Sequence, residues 1–114
     1  MKKLYNLDYL VEISGGDEAF IEDMLKDFIE NAPLSMAELE DCVLAQNWSA
    51  AYEVAHRYIP TFEFVGAEAI RKELRNLETH VKLLVNLDTL PAIISNTKQE
   101  LDKLIEEIKT DYKF

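Results

Sequence analysis

Two histidines are the side chains best suited to chemistry in this sequence, and His56 is the better placed of the two. The apolar stripe of the predicted helix around it consists of Ala51, Ala55, Tyr58 and Phe62. At about 100° per residue, His56 falls roughly 120° from the centre of that stripe, so its ring should lie at the edge of the buried face and reach solvent. An imidazole there can act as a nucleophile near neutral pH, although an ordinary surface histidine would have the same position. His80, on the next helix, is interpreted as a surface residue.

Apolar residues at helical spacing predict the elements that must position His56. A short first helix should stop near Ser14-Gly15-Gly16, and a second, capped by Asp17, should end at Asn31-Ala32 because Pro33 disfavours helical geometry in the residue before it. The predicted third helix starts at Pro33 and faces inward with Met36, Leu39, Val43 and Leu44. The fourth contains His56 and closes at Gly66, the fifth carries Ile70, Leu74, Leu77, Val81 and Leu84, and the sixth carries Ile93, Ile94, Leu101, Leu104, Ile105 and Ile108. Together they predict an all-α fold, an antiparallel four-helix bundle with a short additional N-terminal helix.

Composition narrows the class of protein. The 114 residues fit one domain, 1–114. There are 22 acidic residues against 12 basic ones, a net charge of −10, which argues against nucleic acid and anionic membrane surfaces as partners. The single cysteine, Cys42, forms no internal disulfide and no zinc-ligand set. Because no stretch is apolar for long enough to span a bilayer and the first residues are not those of a signal peptide, we expect a cytoplasmic protein.

Several short motifs occur in an order that resembles one known family. They are Leu10-x-x-Ile13-Ser14-Gly15-Gly16-Asp17-Glu18-x-Phe20-Ile21, then Pro33, then Asn47-Trp48, and finally Ala55-His56 followed ten residues later by Gly66-Ala67. In this respect the chain resembles the histidine-containing phosphotransfer (HPt) domains of two-component phosphorelays, over nearly its whole length. The family's phosphoacceptor segment runs Ala-His-x-Leu-Lys-Gly and ends in Leu-Gly.

The resemblance implies a mechanism. The neutral imidazole of His56 would attack the phosphorus of an aspartyl phosphate on a receiver domain and later pass the phosphoryl group to another receiver. It implies receiver domains of response regulators or hybrid kinases as partners, a monomer, and no cofactor, since Mg²⁺ belongs to the receiver. The sequence has no Gly-rich nucleotide loop, so we expect a phosphoryl carrier without kinase activity of its own.

Two positions depart from the family pattern. The family usually has Lys three residues after the histidine, where this chain has Ile59, and Gly four residues after it, where this chain has Pro60. One interpretation is a working but atypical carrier, which we favour because His56 and its flanking register are retained. A second is a degenerate adaptor that binds receivers without carrying phosphate. A third is an unrelated bundle in which His56 is incidental.

Other residues could support His56. Some family members have a glutamine 22 positions after the histidine that holds the ring's Nδ1, and Glu78 occupies that position here. A carboxylate there would fix the tautomer that leaves Nε2 free to attack, although it also favours the protonated ring. The residues that could contact the phosphoryl group or the partner are Arg57, Arg71, Arg75, Lys82 and Gly66, together with an apolar patch of Tyr52, Ile59, Pro60 and Phe64. For each basic residue the alternative is a surface ion pair with Glu78.

Overall fold

Helices account for nearly all of the secondary structure of residues 3–114, the part of the chain that this computed structural model describes, and these residues contain no strand. There are five α-helices: α1 Asp8–Ser14, α2 Glu18–Leu44, α3 Trp48–Phe64, α4 Glu68–Leu83 and α5 Leu90–Tyr112. A 3₁₀ turn, Leu87–Thr89, precedes α5. The prediction of an all-α fold with a short N-terminal helix is confirmed.

The predicted helix starts and stops are present where the capping residues indicated them. The side chain of Asp17 accepts a hydrogen bond from the backbone N–H of Phe20 at 3.2 Å, which satisfies a free donor at the start of α2. Asn47 caps α3 in the same way, by accepting from the N–H of Ala50 at 3.2 Å. Gly15 closes α1 in the left-handed conformation, with φ of 66°.

The predicted break at Pro33 is wrong, because α2 runs through it as one helix of 27 residues. Tertiary contacts explain the difference. Phe28, Ala32 and Met36 on either side of the proline are buried in the core, and the hydroxyl of Tyr58 in α3 donates a hydrogen bond to the carbonyl oxygen of Ala32. Packing on both sides of the proline therefore outweighs its local bias against helix.

One continuous apolar core lies between the long helices. The helix that carries His56, α3, packs against α2 and α4, while α5 contacts α2 and α4 from the other side. Leu44 and Leu84, which the helical pattern placed on inward faces, are instead 70% and 60% exposed, because each lies where its helix ends and the chain turns away from the core. Within residues 3–114, no helix is long and apolar enough to cross a membrane.

The N-terminal segment, residues 3–6, is hydrogen-bonded to the C-terminal end of α5. The carboxylate of Asp111 accepts hydrogen bonds from the Tyr5 hydroxyl and, at 2.8 Å, from the Lys3 ammonium. These donors hold the pKa of Asp111 below its usual range, and burial together with the bond to that carboxylate raises the pKa of Tyr5. The N–H of Asn6 donates to the carbonyl of Val65 at 2.9 Å, so the segment also covers the turn between α3 and α4.

Candidate functional site

His56 lies in the middle of α3, at the edge of its buried face. Its neighbours Ala55 and Tyr58 belong to the core, whereas 67% of the His56 side chain is exposed. The position expected from the helix wheel is therefore confirmed. The ring is therefore open to solvent at the surface of the bundle.

Glu78 of α4 lies beside the histidine. The Nδ1 atom of His56 is 2.9 Å from Oε2 of Glu78, whose side chain is only 15% exposed. An ionised carboxylate can only accept, so Nδ1–H is the donor, and in the neutral form of the ring Nε2 carries the lone pair. The contact that the resemblance implied for Glu78 is present. In the neutral ring this geometry makes Nε2 the nucleophilic atom.

Tyr52 contacts the face of the same ring. It lies one helical turn before His56, is half-buried, and its ring is nearly parallel to the imidazole, with 5.8 Å between centroids and 10° between planes. The sequence indicates Tyr52 only as part of an apolar docking patch. The i, i+4 spacing on one helix was the signal that could have identified it as a stacking partner. Glu78 restrains one edge of the imidazole, and Tyr52 restrains one face.

The structure corrects the interpretation of Ile59 as a surface residue for phosphate or partner binding. Ile59 is 3% exposed and belongs to the core, because three residues after His56 the helix has turned back toward the bundle interior. The buried Ile59 side chain is therefore not placed to contact a group on Nε2. Pro60 is exposed, as the docking patch required, and α3 continues through it to Phe64. Pro60 has no N–H to donate to the carbonyl of His56.

The four candidate basic residues are arranged differently around the histidine. Three of them are engaged in ion pairs: Arg57 with Glu38 of α2 at 3.2 Å, Arg71 with Glu68 at 2.9 Å, and Arg75 with Glu63 of α3 at 3.3 Å. The fourth, Lys82, is exposed and forms no ion pair with any residue of 3–114. The alternative of a surface ion pair with Glu78 is therefore wrong for all four.

Gly66 and His80 lie outside this cluster. Gly66 follows His56 by ten residues, about 15 Å along the helix axis, and its φ of 62° ends α3. A Cβ atom there would lie 2.8 Å from the backbone nitrogen of Asn6, so Gly66 serves the close packing of the N-terminal segment rather than the binding of phosphate. His80 is half-buried, and its Nδ1 is 3.0 Å from the carbonyl oxygen of Val85.

Among the described side chains, no group of three or more His, Cys, Asp or Glu residues is placed to hold a metal ion. No protein-family model matches the chain. No curated protein and no solved structure is significantly similar to it. The chemistry of the site must therefore be argued from its own geometry, which consists of an exposed imidazole, a carboxylate on Nδ1 and a stacked phenol.

Proposed function

We propose that this protein is a histidine phosphotransfer module that carries a phosphoryl group on His56 between the aspartates of receiver domains. The observation that carries the proposal is the exposed imidazole whose Nδ1–H is held by Glu78, since this leaves Nε2 as a free nucleophile on a convex surface. Such a protein works in the cytoplasm as a monomeric carrier and takes its phosphate from a partner.

We infer that the four long helices form a closed antiparallel bundle, the architecture that such a module needs. Side-chain pairs support this arrangement, because they run in opposite order along neighbouring helices. The pairs are Phe28–Phe62 and Glu38–Arg57 for α2 and α3, Glu63–Arg75 and His56–Glu78 for α3 and α4, and Glu40–Lys98 with Lys26–Phe114 for α2 and the end of the chain.

The distribution of charge supports an acidic partner at the His56 face. Helix α2 carries eight acidic residues and one basic residue, whereas α3 and α4 together carry five of each. The negative charge of the protein is therefore concentrated away from the histidine. A receiver's phosphorylation pocket is itself acidic, so a neutral surface around His56 lowers the repulsion between the two proteins.

The transfer step can be written for these side chains. The Nε2 lone pair forms a bond to the phosphorus of the aspartyl phosphate, the bond from phosphorus to the aspartate oxygen breaks, and the aspartate leaves as a carboxylate. The Nδ1 proton stays on the ring and keeps its hydrogen bond to Glu78. Metal chemistry belongs to the receiver, and transfer to a second receiver reverses the same step.

Incubation with a purified receiver domain carrying labelled phosphate tests the proposal. We expect acid-labile label on the wild type and on His80→Gln, but none on His56→Gln. Receiver binding without label would favour the adaptor interpretation, for which the buried Ile59 and the missing N–H of Pro60 are the motivating features. If neither binding nor label is observed, the remaining interpretation is an unrelated bundle in which His56 is incidental.

A further inference from the structure

The groove between α3 and α4 has two different sides around His56. Tyr52 and Lys82 lie on the side toward the start of α3, where they line one surface hollow. Ile59, Pro60 and Arg75 lie on the other side. A phosphoryl group on Nε2 has to be accommodated on one of them, because its oxygens need hydrogen-bond donors and its charge needs a cation.

Side-chain direction in helices distinguishes the two sides. Every Cα–Cβ bond tilts toward the N-terminus of its helix. The ring of His56 therefore leans toward Tyr52, on which it stacks. Lys82 follows Glu78 by four residues on α4, so its side chain leans back over Glu78 toward the histidine. Arg75 precedes Glu78, and its side chain leads away to Glu63, with which it pairs.

The chemistry of the two sides agrees with this direction. Lys82 is exposed, forms no ion pair, and lies about 6 Å along the helix axis from Glu78, within the length of its own side chain. Glu53 also lines the hollow but forms no ion pair with Lys82. On the other side, Ile59 is buried and Pro60 has no N–H. Of the four candidate basic residues, Lys82 on the Tyr52 side is therefore the one that no carboxylate of residues 3–114 engages.

We propose that the phosphoryl group on His56 occupies the Tyr52–Lys82 side of the groove, with Lys82 binding a phosphoryl oxygen and Tyr52 acting as a positioning residue that fixes the ring plane. This subsite rests on the proposed function of His56. The subsite lies on the side of His56 toward the N-terminus of α3. Ile59 and Pro60, three and four residues after the histidine, lie on the opposite side.

Phosphoramidate, a small donor that needs no partner protein, tests the subsite directly. Nε2 forms the bond to phosphorus, the P–N bond of phosphoramidate breaks, and ammonia leaves after taking up protons from water. We expect Lys82→Gln to lower the rate of His56 labelling about 3- to 10-fold, the effect of one partly solvated charge-assisted hydrogen bond. Lys72→Gln, which removes an exposed lysine of the same helix, is the charge-matched control and should keep the wild-type rate.

Two variants of Tyr52 distinguish its role in positioning the ring from an effect on the stability of the fold. Tyr52→Phe keeps the aromatic face and should label at the wild-type rate, whereas Tyr52→Leu should label several-fold more slowly while its circular dichroism spectrum stays helical. The rival site is tested by Arg75→Gln. A larger loss of rate for Arg75→Gln than for Lys82→Gln, or equal rates for Lys82→Gln and Lys72→Gln, would overturn the subsite while leaving His56 as the acceptor. Absence of label on the wild type would instead refute the proposed function itself.

Discussion

Replacement of Glu78 tests how the imidazole is held, and the structure sets the expected magnitude. The hydrogen bond from Nδ1–H to the carboxylate is charge-assisted, a type worth about 1.5–3 kcal/mol when shielded from water. Because two-thirds of the His56 side chain is exposed, water competes for the ring and a value of about 1 kcal/mol is reasonable. Loss of this hydrogen bond in Glu78→Ala should lower the fraction of molecules with a correctly oriented ring about fivefold. The rate of phosphorylation should fall by the same factor.

The matching assay compares rates of phosphoramidate labelling for three variants near neutral pH. Glu78→Ala should be slow, and Glu78→Gln should lie near the wild type, because an amide oxygen can still accept from Nδ1–H. Glu73→Ala removes a half-buried carboxylate from the same helix and serves as the control. Nitrogen chemical shifts of the imidazole give an independent readout, since they report which ring nitrogen carries the proton.

Two results would contradict this reasoning. If Glu78→Ala labels as fast as Glu73→Ala, the carboxylate has no part in presenting Nε2. If Glu78→Gln is as slow as Glu78→Ala, the charge of Glu78 matters rather than its position as an acceptor, and the ring is not held by the hydrogen bond.

Further predictions concern the surroundings of the site. Ile59→Lys should destabilise the fold by about 3 kcal/mol or more without speeding labelling, because it buries a charge; faster labelling in a stable variant would contradict the buried position. Gly66→Ala should cost about 2–4 kcal/mol, from its positive φ and a displaced N-terminal segment, and lower Tm by roughly 8 °C or more; an unchanged Tm would exclude the close approach. Tyr58→Phe loses the hydrogen bond to Ala32 and about 1 kcal/mol in urea unfolding. Because burial raises the pKa of Tyr58, the stability that Tyr58 contributes is fully present below a pH of about 10 and is lost at higher pH. A stability difference between Tyr58→Phe and the wild type that stays constant across this pH range would contradict the prediction. Hydrogen bonds from the N-terminal segment lower the pKa of Asp111, so the stability difference between wild type and Asp111→Asn should be greatest near neutral pH and disappear as pH falls below about 4; a difference that persists in acid would contradict the ion pair.

Capping residues and apolar periodicity were sufficient to predict most of the helices, because both act within a few residues of chain. Asp17 caps the helix that it was expected to cap. The helix predictions fail where contacts between distant parts of the chain determine the structure. Pro33 predicts a helix boundary because proline disfavours helical geometry in the residue before it. The packing that keeps α2 continuous through Pro33 comes from α3, which is distant in sequence.

The sequence by itself determined the all-α class and the exposed edge position of His56, since these depend on helical periodicity. Glu78 was indicated by the resemblance to the HPt motif, not by periodicity. Only the tertiary structure decided which neighbours matter. It places Ile59 in the core and pairs Arg75 with Glu63. The physical reason is that ion pairs and ring contacts depend on how two helices are rotated and offset against each other, and spacing within one helix does not specify that relation.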